Sequence, residues 1–244
     1  MTSDILTLIP ARMAASRLPG KPLAEIAGKP MICHVWEKAM AADLGPVVVA
    51  TDSAEIMAAI KGAGGRAVLT AADHPSGSDR IYEALCHIDE AGKYDAVINL
   101  QGDLPELDPQ LLHHLARLLD NPAWDLTTLV APATAEEAAK PQIVKAVVSF
   151  SDRAQTSGKA LYFSRAAVPD GPAPFLHHIG LYGWRRAALA RFVKLPPSPL
   201  EMSEKLEQLR ALEDGMQIGV AVVDEAPGGI DTAADLAAAR ARLG

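Results

Sequence analysis

Cysteine is scarce in this chain: Cys33 and Cys86 are the only two among 244 residues. No paired Cys/His spacing accompanies them, which argues against a zinc site, and two thiols in apolar helical patterns make no disulfide framework. Both are expected to be buried free thiols. Positive charge is also short, with 23 Lys and Arg against 30 Asp and Glu and a net charge of -7. That balance argues against the broad basic face a nucleic-acid binder needs. It leaves room for a small anionic ligand wherever a few Arg and Lys side chains converge. Long apolar runs are missing too: none approaches the ~20 residues of a membrane-spanning helix. The opening segment MTSDILTLIP lacks a basic n-region and runs straight into a strand pattern, so membrane insertion and export are not expected, and the cytoplasm is the expected location. Repeats and low-complexity linkers are absent as well. What remains is globular composition, 49% hydrophobic and 22% charged, long enough to bury a sizeable core.

The first hundred residues alternate short β-branched runs with helical patterns. Strands are expected at 5–9, 47–51, 67–70 and 96–100, and helices at 31–42, 53–63 and 78–90. Continuous apolar strands separated by helices are what a parallel sheet covered on both faces requires. In such a sheet ligands collect at the carboxyl ends of the strands. The loops after Ile9, Leu69 and Leu100 should therefore meet at one edge. The second half is less regular, with strands expected at 126–131, 144–150, 160–163, 179–183 and 218–223. Helices are expected there at 109–120, 186–194, 200–214 and 232–243. The reading is a single α/β domain over 1–244 with a small lobe built from about 132–200.

Three segments carry chemistry. The loop Pro10-Ala-Arg-Met-Ala-Ala-Ser-Arg-Leu-Pro-Gly-Lys-Pro22 follows the first strand and gathers two Arg, one Lys and a Gly, an anion cradle suited to a polyphosphate. It lacks the Walker spacing. The segment Asp73-His-Pro-Ser-Gly-Ser-Asp-Arg80 reads locally as a turn into a helix, with Ser78 as a plausible N-cap and Asp79 in the first turn. Asp103 in Gln101-Gly-Asp103 stands one Gly past a buried strand, which suits either an ordinary turn or a Mg²⁺ ligand. Asp231 precedes Thr232-Ala-Ala-Asp235, which fits a capping box.

Taken in order, Ile9-Pro-Ala-Arg12, Ser16-Arg-Leu-Pro-Gly-Lys-Pro-Leu23, Ala50-Thr-Asp52, Ala72-Asp-His74, Ser76-Gly77, Gln101-Gly-Asp103, Ala160-Leu-Tyr-Phe-Ser-Arg165, His178-Ile-Gly-Leu-Tyr-Gly183, Leu206-Glu-Gln-Leu-Arg210 and Ile230-Asp-Thr232 resemble the CMP-KDO synthetase (3-deoxy-manno-octulosonate cytidylyltransferase) family over essentially the whole chain. The resemblance implies a Rossmann-like nucleotide-diphospho-sugar transferase fold, with a mixed, mostly parallel sheet flanked by helices, in a cytoplasmic homodimer. It implies CTP and an acidic 2-keto sugar as substrates, Mg²⁺ as cofactor and lipopolysaccharide synthesis as the setting. Catalytic roles fall to Lys21, Arg12, Asp103 and Asp231, the two Asp also holding the metal. Nucleotide contacts fall to Ala11, Arg12, Ser16, Arg17, Lys21, Ser76, Gly77 and Arg80. Sugar contacts fall to Gln101, Arg165, His178, Tyr182, Glu207 and Gln208.

Leu104 departs from the pattern, standing where the family usually places Glu, and Glu106 is too far along to replace it. That departure bears on sugar identity and metal stoichiometry rather than on nucleotide use. The competing readings are a cytidylyltransferase for a sialic-acid-like sugar and a non-catalytic nucleotide-binding regulator.

Overall fold

The structure, a computed structural model, describes residues 4–14, 18–151 and 153–244. In chain order the elements are β1 (Ile5–Ala11), a 3₁₀ turn (Lys21–Leu23), β2 (Glu25–Ile26), β3 (Lys29–Pro30), α1 (Met31–Ala41), β4 (Val47–Thr51), α2 (Ala54–Gly62), β5 (Arg66–Leu69), α3 (Gly77–Ile88), β6 (Ala96–Asn99), α4 (Gln110–Leu118), β7 (Leu126–Ala133), α5 (Ala135–Ala138), β8 (Lys145–Phe150), β9 (Ser157–Ser164), β10 (Phe175–Arg185), α6 (Arg186–Phe192), α7 (Pro199–Glu204), α8 (Gln208–Glu213), β11 (Ile218–Val222) and α9 (Ala233–Leu243). They form two compact units, one made of residues 4–113 with Pro227–Gly244, the other of His114–Ala226. The segment 132–200 lies wholly inside the second.

In the first unit β5, β4, β1 and β6 lie side by side and all parallel. Every residue of β4, Val-Val-Val-Ala-Thr, is buried, as a strand covered on both faces demands. The chain leaves β1 for β4 and β5 on one side and returns to β6 on the other. The loops leaving β1 and β6 therefore part at a switch point, the place where ligands bind in open α/β sheets. Helix α1 buries Met31, Ile32, Cys33, Val35 and Ala39, and α3 buries Ile81, Ala84 and Leu85. Cys86, expected inside, is exposed instead; it follows Leu85 on the helix and falls outside the 81, 84, 85 stripe. The C-terminal segment is tied back by a cluster of Ile26, Met31, Ile230, Leu236 and Ala239, with Leu18 and Ala24 packed against it. Arg240 Nε adds a 2.8 Å bond to the Glu25 carbonyl.

The second unit holds a mixed sheet in the order β10, β7, β11, β9, β8, with β8 also touching β10 at Lys145 and His177. Strand β10 runs well beyond the expected 179–183 because its antiparallel pairing with β7 extends from Phe175–Ala133 to Trp184–Leu126. The register shifts between Ile179 and Tyr182, a bulge of the kind found beside functional sites. The single helix expected over 200–214 is two short ones. Lys205 takes a left-handed conformation, φ 56°, and ends α7. The break has a tertiary cause, since the carboxylate of Glu204 is held by the Ser164 hydroxyl at 2.7 Å and the Arg165 amide at 2.9 Å.

Candidate functional site

Three loops of the first unit close around Pro10. A Cβ on Gly77 would stand 3.2 Å from Pro10 Cγ, and one on Gly102 would stand 2.9 Å from the Pro10 carbonyl oxygen. The two glycines permit an approach that no larger residue allows without movement, and it brings the ends of β1 and β6 and the start of α3 together. Two adjoining cavities result, sharing Pro10, Ala11, Arg12 and Gln101 in their walls. The larger, about 260 Å³, is completed by Leu18, Lys21, Pro22, Gly102, Asp103 and Asp231. The smaller, about 170 Å³, is completed by His74, Pro75, Ser76, Gly77 and Arg80.

Lys21 dominates the larger cavity. It opens a 3₁₀ turn whose preceding Gly20 has φ 69°, with Pro22 inside the turn. Its ammonium donates to Asp103 Oδ2 at 2.7 Å, to the Ile230 carbonyl at 2.8 Å and to Asp231 Oδ1 at 3.2 Å. Asp103 and Asp231, distant in sequence, thus share one cation. The segments that carry them are joined as well, since the amide of Ile230, next to Asp231, donates to the Asp103 carbonyl at 3.0 Å. Leu104, buried, lies against the same loop: its Cδ2 would be 3.7 Å from a Cβ on Gly229. Asp231 stands between Ile230, sunk in the apolar cluster, and Thr232, whose hydroxyl accepts from the Asp235 amide in a capping box. The cap belongs to Thr232 and Asp235, and the Asp231 carboxylate reaches Lys21 instead. Glu106 is taken by Arg242, at 2.6 Å and 2.9 Å, and plays no part here.

This donor set fits a magnesium ion. Mg²⁺ is usually held by one or two carboxylates plus substrate phosphates, rather than by an all-protein cage. Two carboxylates already gathered about one cation beside an open cavity supply that set. Among the described residues no group of three or more His, Cys, Asp or Glu stands together as a cage.

In the smaller cavity the helix cap is Ser76, not Ser78. Ser76 Oγ accepts from the Asp79 amide and donates to Asp79 Oδ2 at 2.6 Å, while Ser78 is a fully buried first-turn residue. Arg80 is only 2% exposed. Its guanidinium donates to Thr70 Oγ1 at 2.6 Å, the Ala71 carbonyl at 3.1 Å and Asp52 Oδ2 at 3.2 Å, so it braces the turn from within. Asp52, the last residue of the Ala50-Thr-Asp52 motif, takes part in this bracing, as does Glu83, which no motif marks. Ser16 and Arg17 lie outside the described residues.

The remaining expected site residues, Gln101 apart, sit in the second unit. The Arg165 guanidinium donates to three carbonyls, of Glu204 at 2.8 Å, Pro141 at 3.1 Å and Lys205 at 3.3 Å. His178 is buried, with Nε2 2.9 Å from Thr128 Oγ1. The Thr128 hydroxyl also reaches the carbonyls of Ile179 and Leu181, and its single proton goes to one of them. His178 is then the donor through Nε2–H, a neutral tautomer assigned by hydrogen-bond accounting. Burial, with a smaller push from His177, lowers its pKa to about 3 in accord with that assignment. Tyr182 packs beside it at 5.7 Å, and burial together with the Glu207 charge raises its hydroxyl well above the ordinary range. Gln208 opens α8 fully inside the unit. Arg210 holds Glu201 through two bonds, at 2.7 Å and 2.5 Å, and stacks on Phe192.

The family model for cytidylyltransferases matches residues 6–218. A 3-deoxy-manno-octulosonate cytidylyltransferase of Bradyrhizobium sp. (strain ORS 278) is 59% identical over 242 residues, covering 99% of this chain and 98% of that protein. One from Rhodospirillum centenum is 57% identical over 239 residues, covering 98% and 93%. Among solved structures, CMP:2-keto-3-deoxy-manno-octonic acid synthetase complexed with CTP superposes with a TM-score of 0.91 at 40% identity, covering 99% of this chain and 98% of that one. A 4-diphosphocytidyl-2C-methyl-D-erythritol synthase from Anaerococcus prevotii shares the fold alone, with a TM-score of 0.64 at 13% identity.

Proposed function

The chain belongs to the 3-deoxy-manno-octulosonate cytidylyltransferase family, and from that premise we propose that it activates 3-deoxy-manno-octulosonate (KDO) with CTP, giving CMP-KDO and diphosphate for lipopolysaccharide synthesis. The observation that carries the catalytic assignment is the single ammonium of Lys21 shared by Asp103 and Asp231 at the mouth of the larger cavity.

The anomeric hydroxyl of the sugar attacks the α-phosphorus of CTP. One P–O bond forms, the bond to the β-phosphate oxygen breaks, and diphosphate leaves with that electron pair. Such transfers depend on alignment and charge neutralisation more than on covalent help. Arg12, at the junction of the two cavities, and Lys21 face the triphosphate and neutralise the charge that gathers on the leaving diphosphate, with Arg17 of the same loop added by the family resemblance. Asp103 and Asp231 would hold Mg²⁺, which would supply positive charge to the phosphates and favour ionisation of the attacking hydroxyl. The turn at Ser76 and Gly77, braced by Arg80, takes the cytosine. Sugar contacts are assigned by the resemblance to Gln101, Arg165, His178, Tyr182, Glu207 and Gln208. His178, neutral at working pH, serves there as a hydrogen-bonding group and not as a cation.

The enzyme works as a cytoplasmic homodimer on this reading. Its support is the family resemblance, and no helix among the described residues is long and apolar enough to cross a membrane. Light scattering at twice the chain mass checks the assembly. Diphosphate release from CTP with KDO, against UTP and against a sialic acid, tests the reaction. Asp103→Asn, which keeps the shape and removes the charge, should lower turnover at least a hundredfold while the unfolding temperature falls by at most a few degrees through the weakened contact with Lys21. Near-normal turnover of that variant in magnesium would sink the metal assignment.

A further inference from the structure

Glu83 lies outside every motif that carries the reaction, yet the turn lining the smaller cavity hangs from it. Both of its carboxylate oxygens accept from the Ala71 amide, at 2.9 Å and 3.2 Å. One of them is also bonded to His74 Nε2, and His87 approaches the other at 3.8 Å. Glu83 is one helical turn on from Arg80, whose guanidinium holds Thr70 and the Ala71 carbonyl from the other side. Residue 71 is thereby gripped at both its amide and its carbonyl. Three residues later His74 is gripped again, immediately before Pro75.

We propose that Glu83 is the positioning residue that sets base selectivity, holding the turn from 71 to 77 so that its backbone accepts cytosine and rejects uracil. The proposal rests on the cytidylyltransferase reading. The two bases differ where cytosine offers an exocyclic amine donor and uracil an oxygen acceptor. Pro75 has no amide hydrogen, so its backbone offers the cavity only a carbonyl. A fixed acceptor pairs with the cytosine amine and opposes the uracil oxygen, and such a site discriminates only while the carbonyl stays in place. Ser76 cannot supply this flexibly, since its hydroxyl is committed to Asp79. The rigidity must come from outside the turn, and the Glu83 contacts to Ala71 and His74 supply it. Partial burial works against ionisation of Glu83, but the bonds from His74 and Ala71 outweigh it, and the carboxyl lies below its ordinary range. The acceptor is thus ionised and strong throughout the working pH range.

The test is steady-state kinetics on the full enzyme with CTP and with UTP, at saturating KDO and magnesium. In Glu83→Ala the kcat with CTP should stay within about twofold of wild type, because no reacting atom is touched. The KM for CTP should rise about tenfold, and the CTP-over-UTP ratio of kcat/KM should fall about tenfold, the scale expected for losing hydrogen bonds to a charged group. A purely structural role would lower the unfolding temperature without moving that ratio, as Thr134→Ala should do by removing a distant capping box. A folded Glu83→Ala enzyme whose ratio stays within twofold of wild type overturns the proposal. Should Glu83→Ala fail to fold, Glu83→Gln decides. It keeps an acceptor for Ala71 but no charge, and should lower the ratio at least about threefold; an unchanged ratio overturns the proposal. If wild type gives no turnover with CTP, it is the reaction assignment that fails. Thermal shifts with CTP and UTP alone then judge Glu83, supporting its role if the variant loses the wild-type preference and overturning it if the preference survives.

Discussion

Replacing Lys21 by Met removes a cation that Asp103 and Asp231 share while keeping most of its apolar stem. The side chain is 14% exposed and its partners 29% and 47%, so the cluster lies between a surface pair and a buried one. Exposed pairs contribute about 0–1 kcal/mol and breaking a buried pair costs about 3–5 kcal/mol. The contact with Asp103, shorter and drier than that with Asp231, carries most of the effect, and a loss of about 1–2 kcal/mol is expected. For a chain of this size that lowers the unfolding temperature by about 2–8 °C. Turnover should fall much further, about 10²–10³-fold, because the charge opposing the leaving diphosphate is gone at the moment it is needed. The assay pairs thermal unfolding with diphosphate release, each with and without millimolar MgCl₂. With the ammonium removed, the two carboxylates lose the positive charge they share, so magnesium should raise the unfolding temperature of Lys21→Met more than that of wild type. Turnover above about a tenth of wild type would refute the role of Lys21 at the triphosphate. An equal magnesium response in the two proteins would refute the carboxylate pair as the metal site.

Gly102→Ala places a methyl 2.9 Å from the Pro10 carbonyl oxygen and 3.2 Å from Ile32 Cδ1, neither able to move far. The Gln101–Asp103 loop must shift, and turnover should fall more than tenfold with at most a few degrees lost in thermal unfolding; wild-type kinetics would show that the loop yields freely. Acid should weaken the fold through His178: its native pKa of about 3 lies below the unfolded value of about 6.5, so the unfolded chain binds the extra proton between those limits. Stability therefore rises with pH across that window and is complete above it, with a loss of about 2 kcal/mol at pH 5 and the same sign from His177, which burial also lowers. Unfolding temperatures of wild type and His178→Gln from pH 8 to 5 check this: the wild type should fall faster, and parallel curves would contradict it.

The parallel half of the fold was legible because its strands are continuous β-branched runs with glycine-rich stops, and those runs became β1, β4, β5 and β6 nearly residue for residue. The meeting of three loops followed from the same pattern, since parallel strands send their carboxyl ends to one edge. Other features depended on information that spacing does not hold. Residues 200–214 carry no Gly or Pro, and only the pull of Ser164 and Arg165 on Glu204 breaks the helix there. Adjacent His177 and His178 look equivalent in sequence, yet strand alternation and the pairing to β7 send one toward Thr128 in the interior. The Ser76 cap was readable and was assigned two residues late: Ser76 and Asp79 have the three-residue spacing of a capping box, which Ser78 lacks. Glu83 had no such mark, because its partners lie 9 and 12 residues back and meet it only through the turn.

Leu104 shows why the departure from the family pattern leaves the carboxylate pair intact. Position 104 is 8% exposed and directed at the loop that carries Asp231, its Cδ2 3.7 Å from where a Cβ on Gly229 would stand. A carboxylate there would enter a low-exposure contact beside the Asp231 loop, where Lys21 already serves two acids and a carbonyl. An uncompensated charge so placed costs several kcal/mol, whereas a leucine gains from leaving water. The exchange therefore turns a polar position into an apolar fastener: Leu104 side chain to Gly229, Asp103 carbonyl to Ile230 amide, and Ile230 into the cluster with Ile26 and Met31. Holding the Asp231 loop by these apolar and backbone contacts keeps the two aspartates beside Lys21 without a third acid competing for it.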